Sequence, residues 1–254
     1  MLRAERQQKL INLINEKGIA TIEELVEGVN SSIATVRRDI NDMAQDRLIE
    51  KVRGGAKSIA SSSPYEPSFT AKSLINADEK KRIAAEAVKH ISPGDRIILD
   101  SGTTTLELAK LLGIFHDLTV VTNDIRIAAE INTSTSNDLI SIGGIVRKDF
   151  CSTYGYFAET MLKNITVDKI FLSVDAIDAE RGIMSYTMDD VSLKDIGMTN
   201  AKEVYLLCDH SKFSSQALFA VGMIDRISTI ICGRELEAST VEKFQQIEKK
   251  LVLV

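Results

Sequence analysis

Six short apolar runs recur through the last two thirds of the chain, at 97–100, 118–121, 139–142, 169–174, 204–208 and 229–232. Each is too short for a core helix and carries no in/out alternation, so it reads as a strand buried on both faces. Between them, stretches near 104–112, 124–131, 155–163 and 190–201 have helical periodicity. Strand and helix in alternation imply a mostly parallel sheet covered on both sides, an α/β architecture. A ligand of such a sheet binds outside the carboxyl ends of its strands.

Polar, flexible residues gather at those ends. Asp100, Ser101, Gly102, Thr103, Thr104 and Thr105 leave the first run and enter a helix. Gly102 suits close approach of an anion to the backbone, the threonines offer hydroxyls, and a helix N-terminus offers free N–H groups. The same segment also reads as a capped loop with no ligand. Thr122 and Asn123, Gly143 and Gly144 with Arg147, Asp175 with Asp178, and Lys212 within Asp209–Lys212 follow later runs. Taken together they supply acceptors, donors and cations around a phosphate cradle, which is what a polyhydroxylated phosphate ester requires.

At 254 residues the chain has room for a small domain beside a medium one. No apolar run approaches the ~20 residues needed to span a bilayer. The charged N-terminus lacks a signal-peptide core, so a cytoplasmic location with no membrane contact is expected. Cys151, Cys208 and Cys232 are an odd, scattered set, which argues against a disulfide framework. With His90, His116 and His210 they show no metal-ligand spacing, and neither a metal nor a cofactor is expected. The net charge of −5 disfavours coating nucleic acid by charge alone. The acidity is uneven: residues 1–57 hold ten Lys/Arg against nine Asp/Glu, and 58–254 hold 21 against 27.

The first 57 residues read as three helices and a hairpin. Residues 3–17 carry Leu10, Leu13 and Ile14 at helical spacing, and Gly18 ends the run. Thr21-Ile-Glu-Glu24 has the form of a capping box, with a turn expected at 28–31. Ser32 then caps a third helix reaching about Asp46. At about 100° per residue, Val36, Ile40 and Met43 share one face, and Arg37, Arg38 and Asn41 point the opposite way with Thr35 at the flank. Arginine binds guanine and asparagine binds adenine through paired hydrogen bonds, although a solvated face has the same composition. Residues 48–57 then form a strand, a glycine turn and a strand, with Lys51, Arg53 and Lys57 near the turn. A hairpin behind a helix-turn-helix is a wing, and a basic tip suits phosphates.

These residues resemble the DeoR family of bacterial transcriptional regulators. The likeness rests on Glu24-Leu25, on Ser32 followed by Thr35-Val36-Arg37-Arg38-Asp39-Ile40, and on Gly54-Gly55-Ala56. Departures fall at Ser31, at Arg47 where a helix-ending Gly is usual, and at Glu50 where a basic residue is usual. The likeness continues through Asp100–Thr104, Thr122-Asn123, Gly143–Arg147 and Asp209–Lys212, with departures at Ser173, Ala176 and Asp195. It implies a sensor domain like ribose-phosphate isomerase in fold, and release from DNA on binding a phosphorylated sugar. Such isomerases carry a catalytic glutamate where this chain, counted back without gaps, has Leu193-Lys194-Asp195. A lysine there would hold an anion rather than accept a proton.

The expected organisation is a winged helix-turn-helix (1–57), a linker (58–73) containing a Ser/Pro-rich stretch, and an α/β sugar-phosphate sensor (74–254). The leading function is a non-enzymatic repressor of carbohydrate genes that binds double-stranded operator DNA as a homodimer or homotetramer. An aldose–ketose isomerase with an added domain, and a nucleic-acid-binding scaffold, are the alternatives.

Overall fold

The computed structural model describes residues 1–45, 48–58 and 66–254. They fall into two units, Met1–Ala77 and Asp78–Val254. In the first, α1 (Arg3–Lys17) ends at Gly18 and leads into β1 (Ile19–Thr21) and α2 (Ile22–Val29). The capping box at α2 is complete: Glu24 N–H donates to Thr21 Oγ1 at 3.3 Å and Thr21 N–H donates to Glu24 Oε2 at 2.8 Å. The helix runs through Gly28 to Val29, so the turn starts late within the expected 28–31. It is made by Asn30, at φ 47°, a conformation asparagine tolerates.

Next come α3 (Ile33–Gln45), β2 (Glu50–Val52), β3 (Gly55–Lys57) and α4 (Phe69–Leu74). The three strands form an antiparallel sheet in the order β1-β3-β2. Gly54 turns the hairpin at φ 84°. Gly55 lies so close to β1 that a Cβ there would come within 2.1 Å of the Ala20 carbonyl oxygen. The Gly-Gly pair thus serves a turn and a close strand approach. Leu10 and Ile14 of α1, Leu25 of α2, and Val36, Ile40 and Met43 of α3 are fully or almost fully buried together.

The unit extends past the wing. Ser58 N–H donates to the Gly18 carbonyl at 2.8 Å, and Ser68 Oγ accepts from Ala71 N–H at the start of α4. Ala71 and Ile75 then join the first core. The described residues of the stretch expected as linker, 58 and 66–73, therefore belong to the first unit, with Ala71 buried in its core. The Ser/Pro stretch up to residue 65 lies outside the described residues, as do Asp46 and Arg47.

The second unit begins with α5 (Ala77–Ala87), β4 (Arg96–Leu99), α6 (Thr103–Ala109), β5 (Thr119–Thr122), α7 (Ile125–Ser134) and β6 (Asp138–Ser141). A small hairpin, β7 (Ile145–Val146) and β8 (Thr153–Tyr154), precedes α8 (Tyr156–Lys163) and β9 (Val167–Leu172). Then follow β10 (Ala176–Asp178), β11 (Gly182–Ser185), α9 (Met188–Asn200), β12 (Ala201–Leu207), β13 (Phe219–Gly222), β14 (Thr229–Cys232), α10 (Ala238–Gln246) and β15 (Leu251–Leu253).

Seven strands form one parallel sheet in the order β15-β14-β12-β9-β4-β5-β6. Alternate residues feed opposite cores, as period-2 geometry demands. Ile97 and Leu99 pack with Ile83, Leu108 and Ile127 on one face. Ile98 packs with Leu162, Leu193 and Phe244 on the other. The chain winds outward from β4 through β5 to β6, then returns to β9 on the other side of β4. The order therefore reverses between β4 and β9, and the crevice outside their carboxyl ends is where an open α/β sheet binds ligands. Among the described residues no helix is long and apolar enough to cross a membrane.

Candidate functional site

Val36, Ile40 and Met43 are at most 2% exposed, and this burial turns Arg37, Arg38 and Asn41 outward. Ser32 Oγ accepts the Thr35 backbone N–H at 3.2 Å and contacts Thr35 Oγ1 at 2.8 Å, which fixes the start of α3. Lys51, on β2, donates to Asn41 Oδ1 at 2.8 Å and ties the wing to this face. Arg53 is exposed beside Gly54. Glu50 sits 3.5 Å from Lys57 across the hairpin, so a neighbouring cation offsets its charge.

Asp39, adjacent to both arginines in sequence, has a different task. It is buried and accepts from Arg6 Nε at 2.6 Å and Nη2 at 3.3 Å, joining α3 to α1. Sequence reasoning passed over it because its partner lies 33 residues away.

In the second unit Asp100 follows β4 and Ser173 follows β9, the two sides of the switch point. Ser173 N–H donates to Asp100 Oδ2 at 2.9 Å. The ammonium of Lys194, from α9, meets the same carboxylate and donates to the Ser173 carbonyl at 2.6 Å. Lys194 and Asp100 are 5% and 6% exposed, so two charges are held away from water, a costly arrangement unless they are paired. Burial pushes the Asp100 carboxyl up, and Lys194 works against it. At Lys194 burial lowers the pKa, but Asp100, Asp190 and Asp175 outweigh it and the ammonium is held above its ordinary range. The anion that Lys194 holds in this structure is Asp100.

Arg147, just after β7, donates to Asp190 Oδ2 at 3.3 Å, and Thr187 Oγ1 donates to the same oxygen at 3.2 Å. Burial pushes the Asp190 carboxyl up, against Lys194 and Arg147. Asp175 is buried and accepts from Tyr186 N–H at 3.2 Å. Asp195 is instead half exposed and paired with Arg226 at 2.5 Å. Of the two carboxylates nearest Lys194 in sequence, the cluster therefore takes in Asp190.

The threonine turn divides its labour. Thr105 Oγ1 donates to the Asp100 carbonyl at 2.6 Å, with the Gly102 carbonyl at 3.0 Å, and locks the turn. Thr103 and Thr104 are buried at the first turn of α6. Gly102 has an extended backbone, φ 172°, which any residue can adopt. Glycine is required there by Ser173, whose Oγ and Cβ would lie 2.3 and 2.4 Å from an added Cβ. The close approach expected for a ligand is made by the protein itself.

Ser101 Oγ donates to Asp124 Oδ2 at 2.7 Å, and Thr122 Oγ1 accepts from Asp124 N–H at 3.1 Å. Asp124 also caps α7 through Arg126 and Ile127 N–H, so it is the organiser of this loop. An aspartate just ahead of an amphipathic run is a capping signal that could have found it. Asn123 Nδ2 donates to the Thr153 carbonyl at 3.2 Å, bracing β8. Gly143 and Gly144 are exposed ahead of β7. Asp178 caps the β10–β11 turn, accepting from Glu180 and Arg181 N–H at 2.9 Å, which is a structural task.

Lys212 is half-buried on the 3-10 turn that follows Asp209, with no ion pair among the described residues. Glu79, Asp209 and His210 bring ligand-type atoms within 4.8 Å of one another. The Lys80 ammonium lies 4.0 Å from Asp209, and Glu79 accepts from both His210 N–H and the ring contact at Nδ1. The Lys80 ammonium and the His210 contacts therefore already engage these carboxylates.

A winged helix-turn-helix with an arginine face, in one chain with an α/β unit that has buried charges at its switch point, defines a DNA-binding regulator with a separate α/β domain. Residues 6–62 match the DeoR-like helix-turn-helix domain, and residues 75–234 match the DeoR C terminal sensor domain. The chain belongs to the DeoR family of transcriptional regulators. A candidate aga operon transcriptional repressor of Escherichia coli O157:H7 is 32% identical, over 99% of this chain and 94% of that protein. The HTH-type transcriptional regulator IolR of Bacillus subtilis is 31% identical over 93% of each. Among solved structures, a ribose 5-phosphate isomerase from Methanocaldococcus jannaschii is similar at TM-score 0.42 and 20% identity, over 54% of this chain and 55% of that one.

Proposed function

We propose that this regulator represses carbohydrate-metabolism genes in the cytoplasm and leaves its operator when a phosphorylated sugar binds the second unit. The protein acts as a homodimer or homotetramer, so that paired reading heads meet repeated half-sites. The observation that carries the ligand reading is the buried Asp100–Lys194 pair, with the half-buried Asp190 and Arg147 next to it, where the strand order reverses. A charge perturbed by burial and by a specific charge partner, in such a crevice, is a functional-site candidate. The phosphate would lie against Thr103 and Thr104 with Lys212 as a further cation, and the carboxylates would take sugar hydroxyls. A lysine already bonded to Asp100 is a poor proton acceptor, which disfavours turnover. The names of the relatives, which include an aga operon repressor, support the carbohydrate reading.

The ligand acts through a difference in its affinity for the DNA-competent and DNA-incompetent arrangements. The test is a thermal-shift screen of phosphorylated sugars, their free forms and inorganic phosphate, followed by an operator-release assay. A true effector at about 100 times its Kd stabilises the second unit by about 2.7 kcal/mol and lowers operator occupancy. Equal stabilisation by phosphorylated and free sugar would remove the phosphate from the proposal.

A further inference from the structure

We propose that the apolar face formed by β7 and the start of α8 is where a second copy of this chain docks across a two-fold axis. The proposal rests on the oligomeric reading above and names its surface. Tyr156 and Phe157 are 76% and 73% exposed, Ile145 and Val146 are 57% and 52%, and Met161 is 38%. Tyr156, Phe157, Met161 and Ile145 lie on one side and form one patch, whereas Val146, next to Ile145 in the strand, points to the other face of β7. The two rings lie edge to face, 5.7 Å apart. Met161 is four residues beyond Phe157, on the same side of the helix. Ile145 Cδ1 lies 3.6 Å from a Cβ built at Gly155, the residue before Tyr156. Ala158 and Leu162, on the opposite side of α8, are buried in the second unit's core.

Three properties select a second copy as the occupant. The first is area. With ~150–250 Å² for a whole aromatic side chain, Tyr156, Phe157, Ile145 and Met161 present roughly 400 Å² of apolar surface, about half of the ~800 Å² each partner buries in a stable complex. The second is charge. The neighbouring Glu159 and Lys163 are paired with each other at 3.7 Å, so the face bears no net charge to repel its own image. Aromatic, methionine and β-branched side chains around a neutral centre are the makeup of a homodimer core. The third is the strand edge. Among the described residues β7 pairs only with β8, and its other edge is open to an antiparallel copy of itself.

The face is joined to the charged cluster. Arg147 follows Val146 directly, bonds Asp190 at 3.3 Å, and lies 4.0 Å over the Phe150 ring. A ligand that draws on Arg147 therefore pulls on the docking edge.

The experiment is sedimentation velocity on the full chain across a concentration series, with far-UV circular dichroism as the folding control. It compares wild type, Tyr156→Glu/Phe157→Glu, and Ile114→Glu, the last altering an exposed apolar residue outside this face. The expected result is that the double variant sediments at half the wild-type mass, with a dimer Kd at least 100-fold weaker, while Ile114→Glu matches wild type. Should the double variant misfold, Ile145→Arg at the strand edge is read by the same criterion. An oligomeric wild type whose mass is unchanged by the folded face variants would overturn this face and leave the oligomeric reading standing. Equal loss in Ile114→Glu would also overturn it. A wild type that is monomeric at micromolar concentration would overturn both.

Discussion

Gly102→Ala is the smallest change that probes how the charged cluster is held. An added Cβ would lie 2.4 Å from Ser173 Cβ, and ordinary carbon contacts need about 3.5–4.0 Å. Ser173 Oγ can rotate aside, but its Cβ cannot, so one backbone must retreat by about 1 Å or more. That retreat acts on the Ser173 N–H bond to Asp100 at 2.9 Å and the Ser173 carbonyl bond to Lys194 at 2.6 Å. Overpacking alone costs about 1–3 kcal/mol, and a lost hydrogen bond to a charged group adds about 1.5–3. A destabilisation of about 2.5–6 kcal/mol follows from these two contributions. Ser173→Gly removes the obstructing atoms, after which the nearest contact among those that remain is Thr105 Oγ1 at 3.2 Å. The double variant should therefore return to within about 1 kcal/mol of Ser173→Gly, leaving a favourable coupling of about 2 kcal/mol or more. Urea unfolding of the full chain, followed by circular dichroism, measures all four proteins. Additive effects, or a neutral Gly102→Ala, would refute the steric account.

Two further predictions concern other parts of the chain. Replacing Arg37 or Arg38 by Ala should cost about 1–3 kcal/mol of operator affinity where the side chain reads a base. Lys51→Ala or Arg53→Ala should instead weaken all sequences alike and flatten the salt dependence in mobility-shift titrations. Unchanged affinity in the Arg37/Arg38 double alanine would remove α3 as the reading helix. The second is a pH effect. The hydrogen bond to Glu79, opposed by burial, raises the His210 pKa. Its stabilising contribution is therefore complete below the unfolded value of about 6.5 and is lost as pH rises through the higher folded value. Melting temperatures between pH 6 and 9 should fall more in wild type than in His210→Gln, and parallel curves would count against the pair.

Much of this architecture was legible because it is periodic. The face of α3 follows from three apolar residues at helical spacing, and six of the seven strands of the parallel sheet, all but β15, follow from short, largely apolar runs. Local chemistry was equally readable: Thr21 and Glu24 cap α2 as their spacing requires. The elements that escaped are short or paired over long distances. β1 is three residues between two helices, and only its partner β3, more than 30 residues on, makes it a strand. β10, β11 and β13 form a separate antiparallel sheet from three- and four-residue pieces, too brief for alternation to register. At the charged cluster the residue types were readable but the partnerships were not. Lys194 and Asp100 lie 94 residues apart and meet only because β9 returns beside β4. Asp124 was read only as the start of the helical stretch 124–131, yet it takes the Ser101 hydroxyl and the two amides that start α7.

The bond between Lys51 and Asn41 bears on how a wrong base pair is rejected. At rest the amide oxygen of Asn41 is occupied by the wing lysine. If Asn41 reads adenine with both ends of its amide, that oxygen must turn to the base, and the ammonium it releases becomes free to reach a phosphate. Base reading and backbone clamping would then be a single exchange. A mismatched base, unable to attract the oxygen, would leave the lysine on the helix, so one poor letter would forfeit a phosphate contact as well as its own hydrogen bonds.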